Sequence, residues 1–419
     1  MSGCYEIKHS SGLKIILNLM SEHSYAYAVL GVRYGSSNNE FKKHDDDSFL
    51  SCPQGIAHFL EHKMFENEDG EDTFQKFART GALANAYTGF DRTCYLFSCS
   101  KNFEESLKIL LDYVTHPYFT NENVEKEKDI IVQEIKMCQD NPRWQGYFGV
   151  LNGLYSQIPI FNDTAGTEES IRKITKEDLY KCYDMFYKPD NMVLSISGHF
   201  TKKEVLKIVD NIFTKQDPSD IVNKTYEEPI EAVSKKKTKK MSVKIPLIHI
   251  GYKHLASNSL RDNYIKSVKH QLANELIVGS TSELFGYLYY KGVISNPIGY
   301  EVAFGPGYLM SVFGVETKHE EEVTKGLSDA IDKIKKQGIS DDDFVAVKKS
   351  FYGRHIMEQD DPEIVAENYM EASLYDYNFD DLQDLVLNID KTEIENLIKE
   401  TYYDQSSCVS VINPNIETY

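Results

Sequence analysis

The sequence is short of basic residues. Lysine and arginine total 46 against 65 aspartates and glutamates, a formal net charge of −19. This deficit argues against sequence-independent binding to nucleic acid or to an anionic membrane surface, which needs a basic face. It is compatible with a basic peptide substrate, although acidity more often serves solubility. Cysteine in metal-binding spacing is also missing. The seven cysteines, at positions 4, 52, 94, 99, 138, 182 and 408, are odd in number and scattered. A reduced, cytoplasmic protein is therefore expected. Long apolar runs are lacking too. Ile15 to Leu19 is too short for a signal core or a membrane span, and no apolar run precedes Cys4. No membrane partner and no nucleic-acid partner is expected.

What is present suffices for packed cores. Hydrophobic residues make up 41% of 419, a length that suits two domains of ordinary size. The most informative stretch is His58-Phe-Leu-Glu61-His62. On a helix, at about 100° per residue, His58 and His62 lie one turn apart on one face, with Glu61 beside them. Ile56, Phe59 and Leu60 gather on the opposite face, where they can be buried. Two neutral imidazoles at this spacing suit zinc, and the carboxylate between them suits proton transfer with a metal-activated water. The order, His-x-x-Glu-His, is an inverted zinc-peptidase signature. Standing alone, it also has a bland reading as a helix surface with two unrelated histidines.

Zinc needs a third protein ligand. The helical stretch Glu122 to Gln139 carries Glu127 and Glu134 seven residues apart, hence on one face, with Ile130, Ile131 and Ile135 as apolar packing surface. Glu134 can supply the third ligand and Glu127 an outer-shell group. A glutamate pair alone is more often a solvated helix face.

Together these residues resemble the zinc peptidases that include pitrilysin, insulin-degrading enzyme and mitochondrial processing peptidase. Three further stretches carry the resemblance: Leu83-Ala-Asn85-Ala86-Tyr-Thr88, Ala165-Gly-Thr-Glu-Glu-Ser-Ile171 and Phe186-Tyr-Lys-Pro-Asp-Asn-Met-Val193. It spans essentially the whole chain and is nearest to half-size bacterial members of the processing-peptidase type. The gap from His62 to Glu134 is a little short for the family. The resemblance implies Zn2+ as cofactor, with His58, His62 and Glu134 as ligands. It implies Glu61 as the catalytic acid/base, Glu127 beside the ligands, and substrate pairing at Asn85 and Ala86. The implied activity is endopeptidase cleavage of short or unstructured peptides, such as leader peptides.

Read in order, the chain repeats itself. A hairpin across Gly12 and a strand Tyr25 to Tyr34 lead through a polar loop, Gly35 to Cys52, to the metal motif, with Pro53 as a helix start. Helices are expected near Thr73–Thr80, Phe103–Val114, Glu122–Gln139, Arg143–Tyr155 and Lys176–Tyr187, with strands at 82–87, 93–99 and 192–197. The stretch 219–241 reads as a linker, and its basic run Lys235 to Lys240 as a solvated loop. Strands at 241–252, 307–316 and 407–412, with helices near 261–278, 283–290, 320–336, 341–359 and 391–402, then copy the first half at an offset near 215–219 residues. The fold expected is α+β: two related α/β-sandwich repeats, each a mixed or antiparallel sheet with helices on one face. The divisions expected are 1–218 for the metal-binding domain, 219–241 for the linker and 242–419 for the second domain without a metal motif.

Single-chain members of the family carry an Arg and a Tyr in the second half that hold the substrate carbonyl. Here Tyr289 and Asn296 take those positions, and Tyr300 lies out of register. The expectation is a heterodimer in which a homologous subunit supplies Arg and Tyr, with a homodimer as runner-up. A catalytically silent scaffold on the same fold is the alternative function. A small-molecule lyase with the same motif is a third reading, disfavoured by the length of this chain and its internal repeat.

Overall fold

The computed structural model describes residues 3–415. The chain forms two compact units. Unit one comprises Met1–Ile135, Asp163–Lys224 and Ile356–Phe379; unit two comprises Lys136–Asn162, Thr225–His355 and Asp380–Tyr419. These differ from a contiguous division at 218 and 242, because each unit takes one helix from the other half of the chain.

The sheet of unit one has six strands in the order Gly3–Lys8, Lys14–Leu19, Met192–Gly198, Ala26–Val32, Thr93–Cys99, Leu83–Thr88. All neighbours run antiparallel except Lys14–Leu19 with Met192–Gly198. Ala26–Val32 and Met192–Gly198 are buried along their whole length. Central strands covered on both faces read as apolar runs rather than alternations. One face bears the main core, in which Leu13, Leu17, Ala28, Leu30, Tyr95 and Phe97 meet the helices around Phe59, Leu107 and Ile131. On the other face, Ile16, Tyr27, Val29, Cys94 and Val193 meet Ala366, Met370 and Leu374 of the helix Pro362–Leu374. Gly31 admits this helix: a Cβ there would stand 2.5 Å from the Met370 sulfur. The phenols of Tyr27 and Tyr87 both donate to Glu367 at 2.7 Å, which satisfies a carboxyl that burial pushes above its usual range.

Unit two repeats this plan. Its sheet runs Lys236–Met241, Ser407–Pro414, Leu247–Lys253, Tyr308–Glu316, Gly299–Gly305. Its one parallel pair joins the first two strands, which match the second and third strands of the unit-one sheet. The helix Pro142–Leu154 lies on Leu247–Lys253 and Ser407–Pro414. Its glycines let the backbones close up: a Cβ at Gly149 would stand 2.2 Å from Ser410 Oγ, and one at Gly153 2.1 Å from Cys408 Sγ. Gly251, which corresponds to Gly31, has Val150 at 2.2 Å from its ideal Cβ.

Several elements differ from the sequence reading. The basic run is not a loop: Lys236–Met241 is an edge strand, mostly exposed. Lysines on an outer strand discourage pairing with other chains. Within the polar stretch 35–52, Glu40–Lys42 and Leu50–Ser51 join Val222–Asn223 in a small three-stranded sheet. Helices Lys202–Ile212, Pro362–Leu374 and Asp381–Asn388 were not anticipated.

Unit two encloses a polar cluster. The rings of His254 and His270 stack with centroids 3.8 Å apart, and both residues are buried. His254 Nδ1 donates to the Thr401 carbonyl at 3.2 Å, so its Nε2 accepts from Ser311 Oγ at 2.9 Å. The Tyr402 hydroxyl donates to Asn274 at 2.6 Å and lies 3.2 Å from His270 Nδ1. Burial pushes His254 down to about 3, and His270 well below its usual value. In the unfolded chain both titrate near 6.5. Above that pH neither state binds the proton, and the contribution to stability is complete. Below it, only the unfolded chain takes up protons, so both histidines make stability fall as pH drops below about 6.5, by roughly 1.4 kcal/mol per pH unit for His254 down to about pH 3. The urea midpoint for unit two should drop between pH 7 and pH 5, and His254→Gln should make that dependence shallower.

Candidate metal centre

The metal motif lies on the helix Ile56–Lys63. It begins later than Pro53 suggests, because Gly55 caps it at φ 83°. That left-handed turn has a packing cause. A Cβ on Gly55 would stand 2.4 Å from the Ala165 carbonyl oxygen, and one on Gly166 2.6 Å from that of Gln54. Ser170 Oγ donates to the Gln54 carbonyl at 2.8 Å. The stretch 165–171 is thus a buttress for the start of this helix. Ile56, Ala57, Phe59 and Leu60 are fully buried in the main core, which fixes the rotation of the helix and aims His58 and His62 outward.

The helix Asn121–Asp140 passes alongside. Val124, Ile131, Val132 and Ile135 anchor it, whereas Ile130, read as packing surface, is 56% exposed. Glu134 faces both histidines. His58 Nε2 lies 3.5 Å from Glu134 Oε1, and His62 Nε2 lies 3.3 Å from Glu134 Oε2. One donor atom from each of the three residues fits within 4.8 Å. Nitrogen and oxygen ligands about 2.0–2.2 Å from a tetrahedral zinc stand about 3.3–3.5 Å from each other, so this donor set fits that ion. The electrostatics agree. The two imidazoles hold the Glu134 carboxyl far below its usual range. Burial opposes a charge on His62, yet Glu127, Glu134 and Glu61 outweigh it and raise His62 to about 10. The centre therefore attracts positive charge strongly.

Glu127 lies behind the ligands. Its Oε1 accepts from His62 Nδ1 at 3.0 Å, and its Oε2 is 3.4 Å from Lys63 Nζ. Burial raises its pKa, but His62 and Lys63 prevail and keep it below the usual carboxylate range. Glu61 is buried, and its Oε2 accepts from Thr88 Oγ1 at 2.6 Å. Thr88 ends the edge strand Leu83–Thr88, on which Asn85 pairs with Leu96 and Ala86 with Tyr95. The outer edge of this strand has no partner within the sheet among the described residues. Asn85 is exposed and Ala86 half-buried.

The sequence reading gave Thr88 and Lys63 no part. Thr88 was visible only as the end of the edge strand. Lys63 offered one hint, a charge set between His62 and the buried Met64. In unit two, Tyr289 is exposed, with its ring tilted 35° to that of Phe285 and centroids 5.5 Å apart. Asn296 is exposed, while the Tyr300 hydroxyl donates to Glu275 at 2.7 Å and so is occupied.

The family model described as Insulinase (Peptidase family M16) matches residues 51–155, and that described as Peptidase M16 inactive domain matches 173–351. Over 400 residues the chain is 34% identical to a Bacillus subtilis protein named uncharacterized zinc protease YmfH, covering 94% of this chain and 93% of that one. A crystal structure of a putative M16-like peptidase from Alicyclobacillus acidocaldarius superposes with TM-score 0.94 at 29% identity, over 99% of each chain. Over 216 residues the chain is 29% identical to the probable mitochondrial-processing peptidase subunit beta of Schizosaccharomyces pombe, covering 49% of this chain and 45% of that one. With its metal motif, its repeated α+β architecture and a relative matched along nearly its full length, the chain belongs to the insulinase family of peptidases, M16.

Proposed function

We propose that this chain is the catalytic subunit of a zinc endopeptidase acting on short or unstructured peptides. One observation carries the reading: the three-residue donor set and Glu61 meet beside the end of an open sheet edge. His58, His62 and Glu134 would hold zinc, which when bound supplies Lewis-acid polarisation of the scissile carbonyl and acidifies a water. The chain's own residues do the rest. Glu61, with Oε2 held by Thr88, takes the proton of the attacking water on its other oxygen and passes it to the leaving amine. The substrate extends the sheet along Leu83–Thr88, with Asn85 and Ala86 as the pairing residues. Backbone pairing of this kind recognises extended, unfolded segments more than particular side chains. Because Thr88 joins that edge to Glu61, a strand laid along it leads to the acid/base group. The cysteine content suits a reducing, cytoplasmic compartment.

A silent scaffold is the competing reading, favoured by the inactive-domain description of residues 173–351. That description covers none of the four motif side chains, and a scaffold has no need to keep all of them.

Metal analysis and peptide hydrolysis test the assignment together. His58→Ala, His62→Ala and Glu134→Gln each leave two donors, and should lose stoichiometric zinc. Glu127→Gln should retain most of it, because outer-shell partners tune a site more than they hold it. Glu61→Gln should keep zinc while hydrolysis falls about 10²–10⁴-fold; undiminished hydrolysis would refute the mechanism.

The partner follows from what unit two lacks. Neither Tyr289 nor Asn296 can act as an Arg–Tyr pair towards a developing oxyanion, and positioned donors there are often worth several kcal/mol. We therefore propose a heterodimer with a homologous subunit that supplies Arg and Tyr, with a homodimer second. The purified chain should cleave unstructured peptides slowly alone and faster with such a subunit. Full activity as a monomer would refute a shared site, and equal activity on self-association would favour the homodimer.

A further inference from the structure

Lys63 is the next residue after His62, and its side chain is completely buried. A buried ammonium persists only where its donors are matched. Lys63 Nζ is matched by Glu66, by the Asn123 carbonyl at 3.2 Å and by Glu127 Oε2 at 3.4 Å. Two of these acceptors, Asn123 O and Glu127 Oε2, belong to the helix that also carries Glu134. Glu127 is consequently gripped at both oxygens by consecutive residues of the metal helix, Oε1 by His62 and Oε2 by Lys63. A carboxylate held at one oxygen can swing about its last torsion; one held at both cannot. The imidazole of His62 is in turn oriented by the oxygen on its Nδ1, which decides where Nε2 points.

We propose that Lys63 is a positioning residue of the metal centre: it locks the Glu127 carboxylate, and through it the His62 ring, in the orientation that presents Nε2 beside Glu134. Lys63 itself touches neither metal nor substrate. It also ties the two ligand-bearing helices together, so that His58 and His62 on one keep their distance from Glu134 on the other. This inference rests on the zinc reading of the site and adds to it a residue outside the ligand set and its immediate partner.

The test is zinc affinity by chelator competition in wild type, Lys63→Met, Glu127→Gln and the double variant, with thermal melting of each metal-free protein as a check on folding. Lys63→Met keeps an unbranched side chain, one atom shorter, and removes the donors. It should weaken zinc binding about 10–100-fold, the range for outer-shell partners. Glu127→Gln should weaken it less than loss of a ligand would, and in that background Lys63→Met should add little, because residues acting through one contact are not additive. Should Lys63→Met not fold, Lys63→Gln, which keeps a polar head in the buried position, is measured in its place with the same expectation. Wild-type affinity in the single variant would overturn the role of Lys63 while leaving the zinc reading intact. So would losses that multiply fully in the double variant, since a packing role alone gives independent effects. A wild-type protein that takes up no zinc would overturn both.

Discussion

The chemistry of unit one depends on a helix that cannot turn. Ile56, Ala57, Phe59 and Leu60 are sealed in the core, and the backbone before them is wedged between Gly55 and Gly166, where no side chain would fit. Buried Ile, Phe and Leu side chains are each worth about 1.5–3 kcal/mol, so rotating the helix even part of a turn would expose several at once. The imidazoles are therefore held in place by the apolar residues on the far side of the same eight-residue segment. Precision at the polar face derives from packing at the hidden one.

This coupling explains what could be read from the sequence. His58, Glu61 and His62 share a helix, and helical spacing alone puts them together. Glu127 and Glu134 share another. The meeting of the two helices was not legible from spacing; the resemblance supplied it, and in the structure Glu134 lies 3.5 Å from His58 Nε2 and 3.3 Å from His62 Nε2. Thr88 and Lys63 stayed hidden because each acts through a tertiary contact that sequence spacing does not encode. Among the elements, Pro362–Leu374 was missed because its buried residues, Pro362, Val365, Ala366, Met370 and the run Ala372–Leu374, do not keep to one clean stripe. Lys236–Met241 was missed because lysines conceal a strand whose apolar demands are met by its neighbour in the sheet.

The two units share a strand order and diverge in what their centres do. Where unit one gathers carboxylates and imidazoles at a partly open face, unit two buries its paired histidines and disfavours their charge. His254 and His270 are fully hydrogen-bonded or stacked, which makes them elements of packing rather than of chemistry. One architecture thus carries the same ring in opposite roles, and solvent access and neighbouring charge decide which.

The exchanged helices impose an order in time. The six-stranded sheet has all its strands once Gly198 has left the ribosome, yet the helix that covers Ile16, Tyr27, Val29 and Val193 begins only at Pro362. At roughly 5–20 residues per second, that face waits on the order of ten to thirty seconds for its cover. During synthesis the nascent chain presents a sticky, half-finished surface that a holding chaperone would recognise, and a stalled or truncated product would never hide it.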